Sequence, residues 1–342
     1  VTFWAAALLA LATPQPASAQ QNQPRTLTVP ATAAWQHAET GMILPSASAG
    51  LARGEIRDST DAELDVVADF RDAAEGVWAT VYLYRTMTPD VALWFDRALT
   101  TIMLRPEYRL EGAGAAAPTG FARPGSSTAS GLRAALDVQA PDLRSTALAI
   151  APLGPWQLKI RFSAAGLDRA ALDERLTRFI EGLRWPAETA ATTSRAAVAV
   201  EPCPSPLRLR RARVVRTDLA NTLMDAVAGN ITPENVGPPA VYCREPGATL
   251  AHGVYRPDAS TDRYLIALGD AGIALSVGEA LDLSALLGGG GGGRRFSVTM
   301  LGRNESSFYP SFNRLPPPEQ ALEAAGAARN VISVSTDDRP NR

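Results

Sequence analysis

His37 and His252 are the only imidazoles in this 342-residue chain, and Lys159 is its only lysine; every other basic side chain is an arginine. Imidazole is the commonest general base near neutral pH, so these few positions bound the base chemistry on offer. Neither histidine belongs to a His-Glu-x-x-His pattern, Trp156 stands where a Ser-x-x-Lys dyad needs serine, and no Gly-x-Ser-x-Gly elbow occurs. His37 follows Trp35 by two residues in an alternating stretch, which predicts a partly buried ring on a shared strand face. No catalytic residue and no cofactor motif is assigned.

Carboxylates offer a second chemistry. Asp58, Asp61, Glu63, Asp65, Asp69 and Asp72 crowd one stretch, and an extended backbone would put Asp61, Glu63 and Asp65 on one face. Calcium takes six to eight oxygens, and the twelve-residue loop of an EF-hand is missing, so a charged edge or loop is the stronger reading. Cys203 and Cys243 do not form a Cys-x-x-Cys pair, and the two cysteines and two histidines assemble no four-ligand zinc set. In an exported chain they read as a disulfide, closing a loop of about forty residues for roughly 3–4 kcal/mol.

Positive charge clusters at Arg208, Arg210, Arg211, Arg213 and Arg216, read either as a solvated strand face or as a contact for acidic lipid, polysaccharide or protein. Six glycines, 288–293, lack the Lys-Ser/Thr of a phosphate loop and follow a helical pattern rather than a strand. Arg294 and Arg295 beyond them are exposed by default, with an anion clamp as the alternative. Basic and acidic residues number 33 and 35; that balance gives no field to attract nucleic acid.

Around these residues the chain reads as follows. Residues 1–19 resemble a signal peptide, with apolar Phe3 to Ala12 ending in Ala17-Ser18-Ala19 but no basic n-region, and predict a periplasmic or secreted protein. The run is about half the roughly 20 residues a spanning helix needs, and no later stretch approaches that length. Residues 20–33 read as a flexible tail and 34–187 as a first domain. Its strands are Trp35–Pro45, Leu51–Arg57, Leu64–Arg71, Val77–Arg85, Leu132–Val138, Leu143–Ala151 and Trp156–Ser163. A helix starts behind Thr88 as cap, with one buried face from Val91 to Met103, and another spans Asp168–Leu183. The Gly- and Pro-rich stretch 105–131 reads as a loop or flap. Residues 188–200 are a linker, 201–336 a second domain holding the disulfide, and 337–342 a tail. In the second domain strands are expected at Leu207–Val215, Val241–Arg244, Leu250–Tyr255, Arg263–Leu268, Ile273–Val277, Arg294–Leu301 and Asn330–Val334. Helices are expected at Thr217–Ala228, Glu279–Leu287 and Pro317–Ala328. The order of elements predicts an α+β fold: two domains, each an antiparallel sheet with helices packed on it.

Trp35 with Gly41-Met42-Ile43-Leu44-Pro45, the tyrosine-rich strand 77–84, the helix after it, and a closing strand Trp156 to Phe162 with a helix ending Leu183-Arg184-Trp185-Pro186 resemble the PsbP-like α-β-α sandwich. The resemblance covers about half of the chain. It implies an extracytoplasmic binding or assembly subunit and carries over no functional residue.

The expectation is an exported, non-catalytic binding or accessory protein of a bacterial cell envelope, bacterial because arginine so outnumbers lysine. Its partner would be an envelope protein or a small apolar ligand; a secreted hydrolase with an unrecognised Ser or carboxylate site is the alternative. The candidate binding surface combines Trp78 and Trp156, beside the 105–131 stretch, with Arg208, Arg210, Arg211 and Arg213.

Overall fold

The computed structural model describes residues 24–110, 117–187, 195–215, 240–280, 294–327 and 332–335. Its first half runs β1 (Arg25–Leu27), β2 (Trp35–Gln36), β3 (Ile43–Leu44), β4 (Ala47–Ser48), β5 (Leu51–Asp58), β6 (Asp65–Asp72), β7 (Val77–Arg85), α1 (Val91–Met103), β8 (Thr119–Phe121), β9 (Gly131–Ala140), β10 (Leu143–Leu153), β11 (Trp156–Ala164) and α2 (Arg169–Gly182). Its second half runs β12 (Glu201–Pro202), β13 (Tyr242–Arg244), β14 (His252–Pro257), β15 (Tyr264–Leu268), β16 (Ile273–Glu279), β17 (Phe296–Leu301), β18 (Glu305–Phe312), α3 (Pro318–Ala327) and β19 (Ile332–Ser335).

The expected α+β layout of sheets with helices packed on them is not what forms. Among the described residues strands hold 43% and helices 16%, so the described structure is mostly β. A nine-stranded sheet has the order β1-β5-β6-β7-β11-β10-β9-β8, with β4 beside β5, and an eight-stranded sheet runs β12 to β19 in sequence. Every pair is antiparallel except β12 with β13. Strands hidden from the sequence reading account for much of the shift. β1 pairs with β5 inside the supposed tail, β8 pairs with β9 inside the supposed flap, and β18 joins β17 to β19.

Alternation explains the first sheet. In β7, Val77, Ala79, Val81 and Leu83 enter one core, and in β11 Trp156, Leu158, Ile160, Phe162 and Ala164 join them under α2, whose Leu172, Leu176, Phe179 and Ile180 close it. The opposite face is different. There the register sets Lys159 against Tyr82 and Gln157 against Tyr84, so polar side chains of two central strands share the face turned toward the second sheet.

Helix α1 lies between the sheets. Leu93, Trp94, Phe95, Ala98 and Ile102 join a core that takes Leu132, Ala134, Leu148 and Ile150 from the first sheet and Tyr255, Leu265, Ala267 and Ala274 from the second. A helix with one sheet on each side is buried nearly all round, not on one stripe. Its cap also differs from expectation: the Asp90 carboxylate accepts from the Leu93 N–H at 2.8 Å, while the Thr88 carbonyl accepts from the Trp94 ring N–H at 2.7 Å. Asp is the better cap because its acceptor is ionised.

On the far side of the second sheet, Leu207, Leu209 and Ala212 pack with α3 over Ile266, Leu275, Val277, Val298 and Phe312. Leu207–Val215 is extended but, apart from the bridge Val214–Phe312, not a strand. Pro310 sits in β18 past the end of β19, where its missing N–H breaks no ladder on that side. The expected signal peptide, both expected helices beyond 216 and 280, the polyglycine run, most of the linker and the last tail lie outside the described residues. No described helix is long and apolar enough to cross a membrane.

Candidate functional site

At the N-terminal end of α1, two chain segments close over the first sheet. Residues 195–198 come from one side, tied by the Ala197 N–H to the Ala129 carbonyl at 2.9 Å, and residues 240–242 from the other. Together with Pro89, Val91, Ala92 and Pro152 they enclose a cavity of about 330 Å³. Its wall is mostly methyl and methylene groups from Val91, Ala92, Ala196, Ala197, Val198 and Val241. Val198 and Val241 are 71% and 61% exposed, two of the few large apolar side chains left in water. The polar part of the lining is compact. The Asp90 carboxylate meets Arg195 at 3.4 Å, and Arg195 also donates to the Ala240 carbonyl at 2.7 Å. Burial pushes the Asp90 carboxyl above its ordinary value, while the Leu93 N–H and the Arg195 charge pull it back.

Beside the cavity, α1 and the first sheet grip the β15–β16 turn, Gly269 to Gly272. Arg97 donates to the Gly269 and Leu250 carbonyls, both at 2.7 Å, and Thr86 Oγ1 to the Gly272 carbonyl at 2.8 Å. Lys159 donates to the Asp270 carbonyl at 2.8 Å and pairs with its carboxylate at 3.0 Å, lying 4.4 Å over the Tyr82 ring. Tyr255 donates to Asp96 at 2.8 Å, and two further ion pairs, Arg244–Asp96 and Arg303–Asp65, cross the same gap. Burial holds the Lys159 ammonium below its ordinary pKa, with Asp270 opposing. For Asp270 burial also resists ionisation, but Lys159, Arg161 and Arg97 outweigh it and bring the carboxyl below its usual value. Lys159 is therefore a structural cation: its ammonium is engaged by the carbonyl and carboxylate of Asp270 and by the Tyr82 ring.

No family model, curated protein or solved structure matches the chain. The site must be read from its own residues. His37 is 1% exposed, bonded to Thr40 Oγ1 at 2.9 Å and the Glu63 carbonyl at 3.1 Å, and edge-on to Trp156 at 4.5 Å. It lies beyond the two-residue strand β2 but shares the buried side of Trp35 as expected. His252 is held through Thr249. Neither ring lines the cavity. Four of the six acids are also spoken for. Asp58 accepts from the Thr60 and Glu63 N–H groups, Asp65 pairs with Arg303, Asp69 with Arg57, and Asp72 with Arg175. Asp61 and Glu63 fall in the β5–β6 turn, so the extended face that would have lined them up with Asp65 does not form. Among the described residues no three His, Cys, Asp or Glu side chains gather as metal ligands.

The tryptophans and arginines of the predicted surface are dispersed. Trp156 is buried in the α2 core, Trp78 is half-buried on β7, and neither borders the cavity. Arg208 and Arg210 border a separate groove on the second sheet, Arg211 turns to Glu323 at 3.7 Å, and Arg213 uses its backbone N–H on Asn313. Sequence reasoning missed the cavity because it is built from alanine, valine and proline on four separated segments. The one visible signal was Asp90 at a helix start. Cys203 and Cys243 are joined as expected, with a sulfur–sulfur distance of 2.04 Å.

Proposed function

We propose that the protein is an exported, non-catalytic binding protein that takes a small apolar ligand in the cavity at the N-terminal end of α1. The observation that carries this reading is a mostly apolar cavity of about 330 Å³, within the roughly 300–1,000 Å³ range of small-molecule sites, with its polar groups confined to one side. Apolar walls give affinity, and the Asp90–Arg195 pair gives one polar group of the ligand a partner. The disulfide and the lack of a described membrane-spanning helix support the periplasmic or secreted setting, and the PsbP-like resemblance points to binding as well.

The test uses N-phenyl-1-naphthylamine, a neutral apolar dye that brightens on leaving water. Full-length protein should enhance and blue-shift its emission saturably. Ala197→Trp, which fills the cavity and keeps the backbone bond to Ala129, should reduce the enhancement at least fivefold with unchanged far-UV circular dichroism. Equal enhancement by the folded variant would place the apolar site elsewhere.

A further inference from the structure

A second concavity, on the opposite side of the second sheet from α1, has the inverse chemistry. Arg208 and Arg210 reach it from the extended segment whose Leu207 and Leu209 are partly buried against the core, so alternation turns the two guanidinium groups outward together. Arg314 enters from the end of β18, Arg294 from the start of β17, and Asp262 from the β14–β15 loop. Phe296 and Leu315, 5% and 6% exposed, form an apolar floor. The groove encloses about 370 Å³.

Its charges do not cancel. Arg294 is neutralised by a two-bonded pair with Glu279 at 2.7 and 2.8 Å. Asp262 accepts from Ser260 Oγ. That leaves the guanidiniums of Arg208, Arg210 and Arg314, which have no acceptor among the described residues, facing one carboxylate in a chain whose net charge is −2. Arginines drawn together with no acceptor repel one another, and their forked N–H donors match the oxygens of a phosphate in bidentate fashion. The floor adds a second preference, since Phe296 and Leu315 offer nothing to a bare ion but do offer contact to carbons attached to it.

We infer that this groove binds a phosphoryl group carried on an organic moiety, with Arg208, Arg210 and Arg314 on the phosphoryl oxygens and Phe296 beneath the attached carbons. The groove is distinct from the apolar cavity, and the inference stands whether or not that cavity binds a ligand. One phosphoryl chemistry has two sources here, a soluble phosphate ester and a phospholipid headgroup.

Inorganic phosphate, phenyl phosphate and vesicles of phosphatidylglycerol or phosphatidylcholine separate the possibilities at constant ionic strength. Full-length protein should be stabilised against heat by phosphate more than by chloride, and by phenyl phosphate at lower concentration than by phosphate. Arg210→Gln and Arg314→Gln should each weaken phenyl phosphate binding at least tenfold, and Arg211→Gln, whose side chain faces Glu323 outside the groove, should not. Sedimentation with phosphatidylglycerol but not phosphatidylcholine vesicles, lost in the same two variants, would identify the lipid headgroup as source; no sedimentation beside intact phenyl phosphate binding would identify the soluble ester. Equal responses to phosphate and chloride, or equal loss in Arg211→Gln, would overturn the inference.

Discussion

Gly272 is a point of close contact between the two sheets. Its φ is +84°, and a Cβ there would lie 2.8 Å from Tyr84 Cδ2 and 3.0 Å from Thr86 Cβ. Backbone strain and collision act together, so Gly272→Ala should cost about 2–4 kcal/mol, more than left-handed strain of about 1–2 kcal/mol alone, read as a shift in urea midpoint. Lys159 tests the same contact by charge. Removing one member of a buried pair leaves the other unpaired, typically at about 3–5 kcal/mol. Lys159→Met should approach the lower figure, because Arg161 and Arg97 still act on Asp270, and Lys159→Met with Asp270→Asn should regain at least half of the loss. If the double variant is as unstable as the sum of the singles, the two side chains are not coupled.

At the scale of elements, α1 decides most of the architecture, and its cap is titratable. The Asp90 carboxyl has a raised pKa in the folded state, so the folded protein holds that proton to higher pH than the unfolded chain does. Between the ordinary value of 3.8 and the raised one, stability falls as pH rises. Asp65 and Asp96 are raised by burial in the same way, against the pull of Arg303 and Arg244 respectively. Asp90→Asn preserves a good cap and should raise the melting temperature at pH 7 relative to that at pH 4, compared with the unaltered protein; an unchanged difference between the two pH values would mean that Asp90 contributes none of it.

How far the elements were legible follows from the same physics. Val77–Arg85 and Trp156–Ala164 stand within a residue of expectation because their alternation is strong, and Asp168 announces α2 as its N-cap. β1 and β8 were missed because three-residue edge strands carry no period of their own; β18 was missed because Pro310 and its serines argue against a strand. The depth of α1 was invisible for a different reason. Its sequence shows one apolar face, while Asp96 and Arg97 are buried only because Tyr255, Arg244 and the Gly269 carbonyl come from residues more than a hundred positions away. The cavity shares that origin, and no local motif announces it.

The whole molecule is held by a core that neither sheet completes alone. A fragment of residues 30–187 keeps every strand from β2 to β11 but loses Tyr255, Leu265, Ala267 and Ala274 from the outer face of α1. It should retain β-sheet circular dichroism yet bind 1-anilinonaphthalene-8-sulfonate more strongly than the full chain does. Dye binding no stronger than that of the full chain would show that α1 repacks without the second sheet.

The bond between Cys203 and Cys243 has a consequence for how the protein survives attack. It joins points 40 residues apart, and the chain has no other cysteine. A protease cut on either side of that span divides the polypeptide into pieces held only by packing. A single cut between the two sulfurs leaves one covalent molecule, migrating as one band until a reductant is added. The span is thus the only part of the chain where a backbone can be severed and its halves remain linked.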